Sequence, residues 1–528
     1  MDATTQSTAL ETFVQTLTER MTSLARTLAT WVLSEPRTLQ QQEEQILRQL
    51  HDLGTLLLTG LIDLTAKQPP ATVCCPCGAL ATFSRLRPAS VTTLLGPLSY
   101  TRATYTCASC HHGHAPLDQQ LQLAAGSFSL GLQELLALLG ATQDSFADAA
   151  SVLARLCLVQ VCPNSVRAAT EELGAVLVQH THDICTDAHN HGCLAAAQPA
   201  VPTRLYISMD GVLVHCRSSG WREIKVGCVY TTRAQRSRRS PHERVLRMEQ
   251  PSYSASLAEA QPFGWQLEVE AGRRGVALAE ELIVIGDGAH WLWNLAEEHF
   301  PGATQIVDWY HASQYVWNAA TAIHGEGTAA RARWAEQQLE ALWEGRVQAV
   351  LAALQPQAHK GDAVDEAISY YTTHCTRMDY PSYRARGLQI GSGTIESSCK
   401  QVVSARLKQA GMLWSEEGAN RVVAVRAWLK SGRWEEALAL RRRPQRRYQR
   451  QRGQEQPSAE ARAVQEVDVG VAASESRAAQ VPPEVLEKVR EEMAHEQANH
   501  PWRKAWSIRR QREQQAAQAS GGSTVLAA

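Results

Sequence analysis

The chain has 528 residues, 44% of them hydrophobic and 20% charged, an ordinary globular composition with room for several domains. No run of about 18 apolar residues occurs, so no membrane span is expected, and the N-terminus MDATTQSTALETF lacks the basic-then-apolar order of a secretory signal. The thirteen cysteines are therefore expected to stay reduced in a cytoplasm, where close pairs favour metal over disulfides, and the net charge of −1 hides an uneven distribution.

Residues 1–68 form an N-terminal helical region, with helical apolar spacing in FVQTLTERMTSLARTLATWVL and EEQILRQLHDLGTLLLTGLIDL. Residues 69–118 change character: CCPCG, then the β-rich VTTLLGPLSYTRATYTC, then CASCHHGH. Cys74 and Cys77 form one C-x-x-C, and Cys107 and Cys110 a second. Four thiolates so spaced, each pair in a turn, suit tetrahedral Zn²⁺ in a zinc ribbon. Cys75 can replace Cys74, and His111, His112 or His114 can replace a thiolate. Such a ribbon is a binding or folding module and does not identify a reaction. Residues 119–198 return to helix. Within them SFADAASVLARLCLVQVCPNSVRAATEELGA reads either as a helix-turn-helix for DNA or as two ordinary packed helices.

Strands return in 199–311, a stretch of mixed strand and helix, and 312–388 is almost wholly helical. The glycine turn GLQIGSG and the helical TIESSCKQVVSARLKQAG open 389–436, and 437–528 is a basic, polar and partly disordered tail. The stretch 431–453 holds eight arginines against two glutamates. Arg441, Arg442 and Arg443 there suit a phosphate backbone, or belong to a solvated tail.

Carboxylates stand out in these later segments. Asp210 lies within the apolar run RLYISMDGVLVH. Asp287 closes LIVIGD, and Asp308 closes TQIVD twenty-one residues later. Buried carboxylates are costly unless paired, protonated or bound to metal. Two strands that present Asp210 and Asp287, with a helix that presents Glu396 in its first turn, make an oxygen-rich site for two Mg²⁺ or Mn²⁺ ions. Such a pair of ions serves phosphoryl transfer. Thr394 or Ser392 is available to cap that helix. Lys400, Arg406 and Lys408 follow Glu396 and put cations near a phosphate track. Each aspartate alone reads as a strand end or turn; their order and flanks together point to catalysis.

The blocks SMDGV, GDGAHWLWN, FPGATQIVDWYHA, MDYPSYRARGLQIGSGTIESSCKQVVSARLKQAGMLWS and GANRVVAVRAWLKSGRW closely resemble the ISKra-type transposases of bacterial insertion sequences, which look related to the Mutator-like DDE transposases. The resemblance runs from the cysteine pairs to about residue 435. It implies a multidomain α+β protein: a zinc ribbon and helical DNA-binding region, then an RNase H-like core interrupted by an all-helical insertion. It implies a catalytic triad of Asp210, Asp287 and Glu396, with Asp308 and His311 as an accessory pair that orders the site or contacts the DNA strand. The rival assignment makes Asp308 a direct metal ligand. The implied reaction frees 3′-hydroxyls at the ends of a mobile element and joins them to target DNA. The implied partners are terminal inverted repeats, target DNA and a further copy of the chain; the implied location is the bacterial cytoplasm, on the nucleoid. Trp414 and Trp434 are candidates to stack on an unpaired base, or are core residues. Three other readings compete: a former transposase that binds DNA without catalysis, a junction resolvase without strand transfer, and a zinc hydrolase, which needs an open His-rich site.

Overall fold

The computed structural model describes residues 3–65, 69–123, 128–191, 202–236, 244–391 and 393–442. Arg443 and Ser392 lie outside them. The chain is mixed α+β, with two sheets and many helices.

Two long helices come first, α1 (Ala3–Ser34) and α2 (Leu39–Thr65). They pack as a hairpin in which Phe13 fills the space over Gly60. The first sheet follows, antiparallel in the order β1 (Thr72–Cys74), β2 (Leu80–Thr93), β3 (Gly96–Cys107), β4 (Gly113–His114). Val91, Leu98 and Tyr100 of this sheet pack against Ile62 of α2. A short helix, α3 (Pro116–Gln120), closes the unit.

Next come α4 (Leu130–Thr142), α5 (Phe146–Cys157) and α6 (Pro163–His191). The helix-turn-helix expectation fell on α5 and α6. The second helix is 29 residues long, and its apolar face is spent on packing. Leu173 and Leu177 are fully buried with Ala137 of α4 and with Val425 and Trp428. A Cβ at Gly174 would collide with the backbone of Arg421. The middle of the second helix is thus embedded in the body of the protein, while Pro163 and Asn164 at its start are exposed.

The second sheet has the order β7-β6-β5-β8-β9, with β5 (Arg204–Cys216), β6 (Gly220–Arg236), β7 (Arg244–Ser256), β8 (Glu281–Gly286) and β9 (Thr304–Val307). The first three pair antiparallel; β8 runs parallel to β5, and β9 parallel to β8. Leu205, Tyr206, Ile207 and Met209 of β5 are all fully buried, so successive residues find cover on both faces, as a central strand requires. Helix α7 (Ala260–Arg273) connects β7 to β8, and α8 (His290–His299) connects β8 to β9.

Helices α9 (Trp309–His324), α10 (Ala329–Trp343), α11 (Val347–Leu354), α12 (Asp362–His374) and α13 (Tyr380–Ala385) make the expected helical stretch. It begins three residues before 312, because Asp308 is the N-cap of α9. The chain then returns to the sheet with α14 (Gly393–Cys399), a π-turn over Lys400–Ser404, and α15 (Ala405–Leu407). Helices α16 (Glu416–Lys430) and α17 (Trp434–Arg442) end the described part.

Candidate functional site: a carboxylate pair and a thiol cluster

Strands β5 and β8 are in parallel register, with Ser208 opposite Ile285. Asp210 lies two residues further along β5, and Asp287 is the first residue after the end of β8 at Gly286. Neighbouring strands run about 4.8 Å apart, so the two residues come near one another, and the charge of Asp287 acts on Asp210. Burial pushes the Asp210 carboxyl above its ordinary range, and the charge of Asp287 adds to that push. The N–H of Gly211 (2.7 Å), the Cys399 thiol (3.6 Å) and His311 oppose it.

The loop that carries Asp287 is held from the helical stretch. The Tyr370 hydroxyl of α12 donates to the Asp287 carbonyl at 2.7 Å. Gly288 has φ +117°, and a Cβ there would stand 2.5 Å from the Tyr370 ring, so only glycine satisfies both backbone and packing. Tyr315 of α9 stacks on Tyr370 with ring centroids 3.9 Å apart. The Asp287 carboxylate accepts from the N–H of Ala289 at 2.9 Å, which fixes its orientation. His374, one turn beyond Tyr370, is 3% exposed; burial, helped by Arg377 and His290, lowers its pKa to about 4 and keeps the ring neutral.

Asp308 is fully buried. One of its carboxylate oxygens accepts from the N–H groups of Tyr310 and of His311, the latter at 3.3 Å, so it caps α9. Its own N–H donates to the Gly286 carbonyl at 2.8 Å, and Trp309 donates to Ile390 at 2.9 Å. These bonds tie the ends of β8 and β9 to the loop before α14. Half-buried His311, in the first turn of α9, is close enough for its charge to act on Asp210.

Glu396 sits in the first turn of α14 and is exposed. Cys399, one turn later, is buried, and its thiol donates to Asp210. Helix α14 packs on β5 and β6, so Glu396 lies one helical turn from the group that holds Asp210. Among the described residues, Asp210, Asp287 and Glu396 do not gather within 4.8 Å of one another. Thr394 is buried and accepts from Gln389 at 3.0 Å, so its hydroxyl serves the core.

Several cations expected at a phosphate track have other work. Arg406 is 1% exposed: it donates to the Gly140 carbonyl at 2.9 Å and lies over Phe146 and Trp414. Arg426 similarly serves Ala141 at the end of α4 and the carbonyls of the π-turn. Both neutralise orphan carbonyls at helix ends. The Arg441 side chain is buried against Gln133 and Glu172, and Arg442 forms a two-pronged pair with Glu134 at 2.8 Å. Arg406 and Arg441 are therefore corrected from DNA contacts to packing residues, and Arg442 is already neutralised. Lys400 and Lys408 are exposed. Trp414 is a core residue whose indole N–H donates to Leu407 at 3.1 Å, and half-buried Trp434 packs beside Trp428.

The thiol cluster consists of Cys75, Cys77, Cys107 and Cys110, all ligand atoms within 4.8 Å of one another. This corrects the assignment of Cys74, which is exposed. The reason is strand alternation: Cys74 pairs with exposed Leu80 and points outward, so Cys75 points in. Cys75 bonds through its backbone N–H to Ala79 at 2.8 Å, and Gly78, at φ +92°, turns the chain so that Cys77 faces it. The other knuckle turns at His111 (φ +56°), whose N–H donates to Cys107 at 2.9 Å. Sulfur separations are 3.3 Å for Cys75–Cys77, 3.5 Å for Cys75–Cys110 and 3.6 Å for Cys77–Cys107. A zinc tetrahedron with bonds near 2.3 Å has edges of about 3.8 Å, so the donor set fits that ion. His114 Nε2 stands 3.0 Å from Cys75 Sγ, suited to donate to a thiolate there.

Fold and sites together define a mixed α+β protein with two separate polar centres, one of thiols and one of carboxylates. The chain belongs to the uncharacterised protein family UPF0236, whose model matches residues 38–443. Both centres and the helical stretch fall inside that span. Comparison with curated proteins finds no match.

Proposed function

We propose that the chain is a DDE-type transposase of the ISKra kind, related to the Mutator-like enzymes, with an RNase H-like core. The observation that carries this reading is Asp210 on β5 and Asp287 at the end of the adjacent parallel strand β8, with the helix of Glu396 packed against the same sheet. The strand order β7-β6-β5-β8-β9, three antiparallel and two parallel, supports the RNase H-like core.

In this reading Asp210, Asp287 and Glu396 hold two divalent ions, Mg²⁺ or Mn²⁺. Like charges near one another are the arrangement such ions neutralise; the Asp210 pKa is raised chiefly by burial, with a smaller contribution from the charge of Asp287. The ions supply activation of a water or 3′-hydroxyl and stabilisation of the leaving oxygen. The protein's own groups position the site: Cys399 orients Asp210, Tyr370 and Ala289 orient Asp287, and Asp308 fixes the helix that presents His311. Zn²⁺ on Cys75, Cys77, Cys107 and Cys110 joins the ends of the first sheet and contributes folding energy. DNA ends, target DNA and a second protomer are the partners.

A DNA-binding protein without catalysis is the second reading, and the spread of the three carboxylates favours it. A cleavage and joining assay on DNA that carries the gene's own flanks separates the two. Metal-dependent nicks at two ends, lost in Asp287→Asn and in Glu396→Gln while binding persists, are expected. The loss should be at least the roughly 10²–10³-fold seen when one preorganised charge-stabilising group is removed. Binding without nicking in the native protein would favour the second reading. Equal cleavage by Asp287→Asn would move the second ligand to Asp308.

A further inference from the structure

Of the cations expected to meet a phosphate track, Arg406 and Arg441 are buried and Arg442 is paired, while Lys400 and Lys408 stay exposed; a second basic surface lies elsewhere, on the first sheet. Residues Thr82–Pro88 of β2 are exposed on both faces, whereas a strand in a small sheet ordinarily has one face covered. Cross-strand pairs place Arg85 opposite Thr104 and Arg87 opposite Arg102. Paired residues share a face, so three arginines project from one side of the β2–β3 ribbon. A register shift between Phe83 and Arg85 separates this side from the one that carries Tyr105 and Cys107 into the thiol cluster. The arginine face borders an open groove of roughly 690 Å³, whose far wall is α3 and His114.

Charge in the groove is unbalanced. Among the described residues, Asp118 is the one carboxylate lining it; that side chain pairs with Arg102 and accepts from the Tyr100 hydroxyl at 2.8 Å. Arg85 and Arg87 have no carboxylate partner among the described residues, Ser84 lines the groove with them, and the Thr104 hydroxyl donates to the Arg85 carbonyl at 2.9 Å. Arginines two apart on a strand stand about 7 Å from one another. A two-stranded ribbon has the width that the major groove of B-DNA admits.

We infer that the Arg85–Arg87–Arg102 face of this ribbon binds the phosphate backbone of duplex DNA. The inference rests on the transposase reading for its choice of nucleic acid, but its geometry is independent of the carboxylate site. Arg85 and Arg87 make the ionic contacts, Arg102 is held in place by Asp118, and the adjacent thiol cluster fixes the strand ends that carry them.

The test uses the full-length, zinc-loaded chain and fluorescence anisotropy with two labelled duplexes, one carrying the gene's flanks and one unrelated. Arg85→Ala/Arg87→Ala should weaken binding to both duplexes by about tenfold or more at moderate salt. The slope of log affinity against log salt should fall by about two. Arg85→Lys/Arg87→Lys should retain most of the slope, because each lysine keeps a point charge. The thiolate absorption of a Co²⁺-substituted sample checks that the ribbon is intact in each variant. An unchanged slope in the alanine variant overturns the inference, as does failure of the native chain to bind either duplex at low salt. A loss in the lysine variant as large as in the alanine variant also overturns it. Binding that drops as expected, in a protein that never nicks DNA, supports the ribbon surface while defeating the catalytic reading.

Discussion

The thiol cluster and the carboxylate pair are assembled in opposite ways. Cys75, Cys77, Cys107 and Cys110 come from two knuckles joined by one β-hairpin, and turn geometry alone brings them together. Asp210, Asp287 and Glu396 come from a strand, the loop after its neighbour and a helix, with the whole helical stretch between the last two. The first centre is self-contained. The second depends on groups far off in the chain, among them Tyr370 on Asp287 and Cys399 on Asp210. A local centre should therefore fail all at once when a ligand is lost, whereas a distributed centre should degrade by degrees.

The largest effect should come from Cys75→Ser. Structural zinc sites in small domains are worth on the order of 10 kcal/mol, so this variant should lose its zinc and the fold of the first sheet. Cys74→Ser should keep about one zinc per chain by metal analysis. Loss of zinc in Cys74→Ser, with retention in Cys75→Ser, would reverse the correction drawn from strand alternation.

An intermediate effect is expected at Tyr370→Phe, which removes one donor to the Asp287 carbonyl and leaves the ring stacked on Tyr315. Outer groups that orient metal ligands typically matter by about 10–100-fold in metal affinity. Mn²⁺ titration of the variant should reveal a weakening in that range with little change in melting temperature. Unaltered Mn²⁺ affinity would mean that the distributed centre does not depend on α12.

The smallest effect concerns pH. Asp210 has a folded pKa above its unfolded value, so ionisation costs the folded state. That cost is absent below the ordinary aspartate range, grows as pH rises through it, and is complete above the folded pKa. Asp210→Asn should therefore raise the melting temperature at neutral pH, and the gain should shrink to nothing in acid. A gain that persists in acid would assign the effect to packing rather than charge.

Much of this was legible in the sequence because it is local. The hairpin around VTTLLGPLSYTRATYTC, the knuckles and the long helices follow from alternation, turn residues and helical spacing. Cys75 is legible too, because strand alternation through TVCC turns Cys74 outward and Cys75 inward. Cys399, one helical turn after Glu396, carried a weaker signal. Nothing in the sequence marks Tyr370 as the partner of Asp287, because the contact spans 83 positions. Arg406, Arg426 and Arg441 carry the same charge as a phosphate-binding residue, and only their neighbours reveal that they end helices or fill the core.

By itself, then, the sequence determined residue chemistry, element type and the order in which carboxylates and thiols occur, since these depend on neighbours within a few positions. The tertiary structure alone decided which charges face solvent and which strands lie side by side. It did so because burial and parallel pairing depend on segments far apart in the chain, whose contacts no local spacing encodes. The arginine ribbon is an instance of both: its alternation can be read from RLRPAS, but its exposure on both faces emerges only once the chain is folded.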